Sequence, residues 1–173
     1  LARIEAGRID LRIVELQLAP LLDEIRHEVE PLAHDRGVEL ECRCATDLLV
    51  HADSLRIRQV LVNLVDNSIK YGKTGGSTKL GFYDMDKYIL IEVADNGIGI
   101  PKEHLPHVFD RFYRVDKSRS RLRGGSGLGL AIVKHIMARH RGELSIESAA
   151  GEGSSSGPRA SKTMKSLPSP CIF

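Results

Sequence analysis

Cysteine is scarce in this chain: Cys42, Cys44 and Cys171 are the only three in 173 residues. An odd count with a single C-x-C pair makes no disulfide framework, and nothing else in the sequence is spaced like a zinc site. A reduced, cytosolic setting fits that usage. Long apolar runs are missing too, so no segment reads as a signal peptide or a bilayer span. Charge of one sign is also lacking. The net charge is +2, too small for a global field that would gather nucleic acid. The chain opens on Leu1 and not on methionine, which predicts a piece of a longer protein. A membrane anchor, if the parent has one, would then lie outside these residues. What is present suffices for one compact α/β domain, because 42% of the residues are hydrophobic and a chain of this length can bury a real core.

Taken in order, the pattern predicts a strand over 9–18 and a helix over 20–36 with Leu21, Leu22, Ile25, Val29, Leu32 and Ala33 at helical spacing. Short strands follow over 38–44 and 48–51. Asp53-Ser54 opens a helix that runs to Tyr71, with an apolar stripe of Leu55, Val60, Leu61, Leu64 and Val65. Residues 78–84 and 88–94 read as a hairpin. Residues 101–123 are mostly loop, 128–140 a helix, and 143–148 a strand. From Ser154 the composition turns to Ser, Pro, Lys and Gly, which predicts disorder. A strand-rich hairpin flanked by three long helices on one face predicts a two-layer α/β sandwich.

Four stretches carry chemistry. The apolar run 88–94 delivers Asp95 into the turn Asn96-Gly97-Ile98-Gly99-Ile100. Glycines there let a flat ligand come close, and the carboxylate can accept from an exocyclic amine. A strand ending in an ordinary glycine turn accounts for the same letters. On the 54–71 helix, Asn63 and Asn67 share a face, with Lys70 one turn further on. Amide oxygens can coordinate Mg²⁺ and the lysine can reach phosphate, although a solvated helix face looks alike. Gly124-Gly125-Ser126-Gly127-Leu128-Gly129 precedes a helix, and exposed N–H groups at a positive dipole end suit phosphate. It is no P-loop, because no Lys-Ser or Lys-Thr follows the last glycine, and no strand precedes it as a dinucleotide fold requires. Finally, Phe109 and Phe112 at i, i+3 can pin one end of a loop to the core. Arg114, Lys117, Arg119, Arg121 and Arg123 follow. A lid over triphosphate uses these charges better than a nucleic-acid patch does, because the run is short and sits between nucleotide elements.

Together, QVLVNLVDNSIKYG (59–72), DNGIGI (95–100), FDRFYR (109–114) and GGSGLGLAIVKHI (124–136) resemble the N, G1, F and G2 boxes of the catalytic and ATP-binding domain of sensor histidine kinases. These belong to the GHKL superfamily, and YRVDKSRSR (113–121) looks most like the phosphate-sensing type. The resemblance implies a Bergerat-type ATP-binding fold with a mixed, mostly antiparallel sheet. It implies ATP and Mg²⁺ as cofactors, with Asp95 accepting from the adenine amino group. Asn67 would coordinate Mg²⁺ with Asn63 nearby, and Lys70 and Tyr71 would contact phosphates or ribose. Gly97, Gly99, Ile100, Gly125, Gly127, Leu128 and Gly129 would shape the pocket. Phe109 and Phe112 would anchor a lid over about 113–126, and Arg114 would reach the γ-phosphate. Gyrase-type and chaperone ATPases carry a water-activating glutamate at the position of Asn63, which cannot act as a base. Transfer to another acceptor is thereby favoured over hydrolysis.

The implied domains are 1–8, the end of a dimerisation and phosphoacceptor helix; 9–153, the ATP-binding domain; and 154–173, an atypical tail. The implied partners are the protein's own dimerisation domain in a homodimer and a response regulator, without nucleic acid or membrane contact by this segment. The setting is cytoplasmic, with a parent protein that the inner membrane could anchor. Two departures stand out. His27-Glu28-Val29-Glu30-Pro31-Leu32 imitates a phosphoacceptor motif but is one residue short and falls in the ATP-domain helix; the remaining histidines read as surface or packing residues. The family's final apolar strand is absent as a pattern, since 155–173 has three prolines and no alternation. A nucleotide-binding module without transfer, an anti-sigma-type serine kinase and a non-enzymatic interaction domain are the competing readings.

Overall fold

The hairpin β4 (Ser77–Asp84) and β5 (Tyr88–Asp95) is the centre of the sheet. In β5 the side chains of Ile89, Ile91 and Val93 are buried while their neighbours are not, the period-two alternation of a strand with one covered face. The computed structural model describes residues 10–45, 48–115 and 126–161, the last four of these by backbone alone. Its five-stranded sheet has the order β2 (Glu39–Cys44), β4, β5, β7 (Gly153–Ser161), β6 (Glu143–Ala149). Only the β2–β4 pair is parallel. A separate antiparallel pair joins β1 (Val14–Gln17) to β3 (Leu49–Ala52). The expected strand over 9–18 is shorter because α1 already begins at Leu18. Residues 1–8, the expected end of a dimerisation helix, lie outside the described residues together with Ile9, and Asp10 to Ile13 are not strand.

Three helices cover the sheet. α1 (Leu18–Arg36) closes at Gly37 with the paired bonds Gly37 N–H to His34 carbonyl and Val38 N–H to Ala33 carbonyl, a Schellman ending. α2 (Ser54–Tyr71) is capped by Asp53, whose carboxylate accepts from the Arg56 N–H. α3 spans Gly129–Arg139. Ile25, Leu61, Val65, Ile136 and Met137 from the helices join Leu80, Phe82, Ile89 and Ile91 from the sheet in one core, giving the expected two-layer sandwich. The α2 stripe is displaced by two positions at its start. Ile57 is buried, whereas Leu55 is 75% exposed at the rim of a groove of about 310 Å³ between α1 and α2. Cys42 and Cys44 are free thiols, half-buried on β2, and burial pushes both thiols up. His27 is exposed on α1, its Nδ1–H donating to the Asp23 carbonyl.

The tail is the main correction. Residues 153–161 form a strand inserted between β5 and β6, not a disordered extension; 162–173 lie outside the described residues. A proline inside a central strand removes a ladder hydrogen bond. Here the β5–β7 register skips the positions opposite Ile91 and Glu92, where Gly157 and Pro158 fall, while the β6–β7 pairing stays continuous through both. Gly157 also leaves room for the sheet, since a Cβ there would strike the Ile91 carbonyl oxygen. Gly157→Val should therefore lower stability by about 1–3 kcal/mol through overpacking, read as a lower midpoint in thermal unfolding. An unchanged midpoint would mean that β7 does not hold this position in solution.

Candidate functional site

β5 ends at Asp95, and the turn after it is pressed against the end of α2. The Ile98 N–H donates to the Tyr71 carbonyl at 3.2 Å. A Cβ on Gly97 would collide with that same oxygen, so only glycine lets the two elements come this close. Asp95 Oδ1 accepts from the Gly97 N–H at 2.8 Å. The carboxylate is half-buried, and burial pushes its pKa above the usual aspartate value against the opposing pull of the Gly97 and Ser154 backbone bonds and Lys73. It keeps lone pairs for an incoming amine. The turn's far side is tied down by Ser148, whose Oγ accepts from the Ile100 N–H at 2.8 Å and donates to the Gly153 carbonyl at 2.7 Å. Asn96 closes the near side, its Oδ1 accepting from the Ser77 N–H at 2.8 Å. Lys73 reaches across to the Gly151 carbonyl. Gly99 sits in the left-handed region, φ 66°.

Beneath the turn, the buried pair Ser68 Oγ and Thr78 Oγ1, 2.7 Å apart, fastens α2 to β4 opposite Asp95. One turn back along α2, Asn63 and Asn67 face the start of α3. A Cβ on Gly129 would lie 3.4 Å from Asn63 Oδ1 and 3.7 Å from Asn67 Nδ2. No side chain caps α3 at Leu128, so its first-turn N–H groups lack a side-chain acceptor and suit an anion. Lys70 Nζ pairs with Asp66 at 2.6 Å, one turn beyond Asn67 on the same helix. Tyr71 is partly exposed at the helix end.

The lid residues divide. The Phe112 N–H donates to the Gly127 carbonyl at 2.9 Å, which ties the two ends of the predicted lid together. The expectation that both phenylalanine rings pin this loop to the core is corrected. Phe112 has a left-handed φ of 64° and is 69% exposed, so its backbone makes the anchor and its ring faces outward. The i, i+3 rule for shared faces presumes a helix, and this segment is not one. Phe109 is half-buried, with Lys134 Nζ 6.0 Å from its ring centre. Tyr113 is held by His104, whose Nδ1 lies 2.6 Å from the phenol oxygen. Arg114 Nη2 is buried and has no hydrogen-bond partner among the described residues, an orphaned donor that an anionic ligand would satisfy. Gly125 and the basic residues from Lys117 to Arg123 lie outside the described residues.

The turn from Asp95 to Ile100 thus meets α2 at Tyr71, and Asn63 and Asn67 on the same helix face Gly129 at the start of α3. Sequence reasoning missed Asn96, Ser148 and Lys73. Asn96 carried a usable signal, an amide beside a glycine turn; Ser148 and Lys73 act across long separations and had none. The fit to a Mg-nucleotide rests on three features: an unsatisfied buried guanidinium, an uncapped helix start, and neutral amide donors. Mg²⁺ suits such amides when phosphates supply the charge. No group of three or more His, Cys, Asp or Glu side chains fit for a metal exists among the described residues.

The family of histidine kinase-, DNA gyrase B- and HSP90-like ATPases matches residues 52–157. The phosphate regulon sensor protein PhoR of Pseudomonas aeruginosa is 36% identical over 154 residues, 89% of this chain and 35% of PhoR. The sensor histidine kinase YkoH of Bacillus subtilis is 42% identical over 142 residues, 81% of this chain and 31% of YkoH. The resemblance to the phosphate-sensing type is thus one among several of similar strength, and the chain spans about a third of the length of these curated relatives. The catalytic domain of histidine kinase ThkA superposes with a TM-score of 0.76 at 28% identity, covering 87% of this chain and 96% of that one. Full-length ShkA, solved in complex with AMPPNP, gives 0.79 at 27% identity and covers 96% of this chain and 35% of that one. These relatives favour the histidine kinase over the serine-kinase and interaction-domain alternatives. The chain belongs to the histidine kinase-, DNA gyrase B- and HSP90-like ATPase family, and it is similar over most of its length to the catalytic end of sensor histidine kinases.

Proposed function

We propose that this domain binds Mg-ATP between the Asp95 turn and the start of α3 and passes the γ-phosphate to a histidine on a dimerisation domain. The observation that carries transfer over hydrolysis is Asn63. It faces Gly129 across the phosphate gap, at the place where a hydrolase needs a carboxylate to activate water. The acceptor imidazole nitrogen attacks the γ-phosphorus, the N–P bond forms, and the P–O bond to the β-phosphate breaks as ADP leaves. Asp95 orients the base, Asn67 with Asn63 beside it would hold Mg²⁺ to neutralise phosphate charge, and Lys70 and Arg114 supply cationic donors.

Residues 1–8 read as the end of the dimerisation helix and residues 9–161 as the ATP-binding domain, extended by β7 beyond the expected boundary at 153. A homodimer and a response regulator complete the phosphorelay; ThkA has been solved in complex with the response regulator TrrA, at 26% identity to this chain. No helix among the described residues is long and apolar enough to cross a membrane. We place the domain in the cytoplasm, with no nucleic acid or membrane contact by this segment.

Incubation of the chain with labelled ATP and a purified dimerisation domain should yield acid-labile phosphohistidine. Asn67→Ala should cut the rate by about 100-fold or more, as loss of a charge-stabilising ligand does. Acid-stable product, or none from a chain that binds nucleotide, would contradict the proposal. Asp95 gives a second expectation. Its pKa is raised in the folded state by burial, so its stabilising contribution is present below the unfolded value of about 3.9 and is lost as pH rises through the folded value. The ionised group therefore costs stability at pH 7. Asp95→Asn should melt higher than wild type at pH 7, with the gap closing toward pH 4, while nucleotide binding is lost. A lower midpoint at pH 7 would refute that assignment.

A further inference from the structure

The nucleotide ends of α2 and α3 have a counterpart at the opposite ends of the same two helices. Asp53 and His140 are both buried, at 8% and 6% exposure. The Asp53 carboxylate is divided between two backbone donors: Oδ1 accepts from the Arg56 N–H at 3.1 Å, and Oδ2 from the Arg12 N–H at 2.9 Å. The Asp53 N–H donates to His140 Nε2 at 3.1 Å. His140 Nδ1 lies 2.9 Å from the Ile136 carbonyl. A backbone N–H can only donate and a carbonyl can only accept, so the ring carries its hydrogen on Nδ1 and offers a lone pair from Nε2. Two side chains thus join the chain entering the domain, the first turn of α2 and the last turn of α3.

Between this junction and the nucleotide gap the helices are in tight register. Val60, Leu61 and Leu64 of α2 and Val133, Ile136 and Met137 of α3 are at most 2% exposed. A close-packed interior resists relative sliding. From the rise of a helix, Asp53 lies about 21 Å along α2 from Asn67. We propose that His140 and Asp53 are positioning residues that set the spacing of α2 and α3 for the nucleotide and couple that spacing to the segment entering at Arg12. Coupling of this kind is reciprocal: a change in the entering segment alters nucleotide affinity, and nucleotide alters the order of that segment. The inference rests on the site binding Mg-nucleotide.

Hydrogen exchange of the whole chain with and without Mg-ADP, together with calorimetric titration, tests it. In wild type, nucleotide should slow exchange several-fold in peptides spanning 10–17 and 53–57 as well as in 63–71 and 95–100. Asp53→Asn keeps an oxygen for Arg56 but sets an NH₂ against the Arg12 N–H. The response at 10–17 should then vanish while that at 95–100 remains. His140→Phe, which strands the Asp53 N–H, should weaken Mg-ADP binding about tenfold, within the usual range of site coupling. His140→Gln, whose amide oxygen can accept in place of Nε2, should restore it to within about threefold of wild type by the same measure. A His140→Phe chain with a lower melting point but wild-type affinity would reduce the junction to a purely structural one and overturn the proposal. So would protection at 95–100 without any at 10–17 in wild type, which also decides the matter if His140→Phe does not fold. Absence of Mg-ADP protection anywhere would overturn the nucleotide reading itself and this inference with it.

Discussion

The bond from the Ile98 N–H to the Tyr71 carbonyl, made possible by the bare backbone at Gly97, brings a sheet end and a helix end together. The proposed nucleotide site depends on it. The bond sets Asp95, the proposed reader of the base, beside the last turns of α2, which carry Asn63, Asn67 and Lys70. Ser148 and Asn96 hold the turn from either side, and the Ser68–Thr78 pair fixes the helix to the strand below. None of these contacts is strong alone, since a typical hydrogen bond nets about 1 kcal/mol. Their value lies in leaving the turn one place to be.

The second wall of the site is α3, and it is held differently. Its start is uncapped, a local cost that a bound phosphate can offset. The helix is kept in place by its apolar face against α2 and by His140 at its far end. The backbone tie between Phe112 and Gly127 precedes that start, so peptide groups make the tie and the Phe112 ring is left exposed. In the proposed function, a domain built this way would take the base on its tied-down side and satisfy the open donors of the other side with phosphate, as pre-organised electrostatic catalysis requires.

Much of this was legible in the sequence because it is local. Asp53-Ser54 before an apolar stripe marked the start of α2, and alternation in 88–94 marked β5. The amides at Asn63 and Asn67 were placed on one face by spacing alone. What was not legible is set by distant partners. β7 has the letters of a linker, and it is a strand because β5 and β6 supply hydrogen bonds on both sides and the β5 ladder skips the stretch at Pro158. Leu55 belongs to the apolar stripe by composition but points away from it, and Ile57 takes its place. Helical spacing misleads at Phe112, where the backbone is left-handed.

Contact between the Asp95 turn and the end of α2 creates the proposed nucleotide site. Calorimetric titration of wild type and Gly97→Ala with Mg-ADP tests it most directly, with circular dichroism confirming that both are folded. The account predicts one site in wild type and no measurable binding in folded Gly97→Ala, because the added Cβ forces the turn off the Tyr71 carbonyl. Wild-type affinity in Gly97→Ala would show that the site does not depend on that contact and would contradict the account.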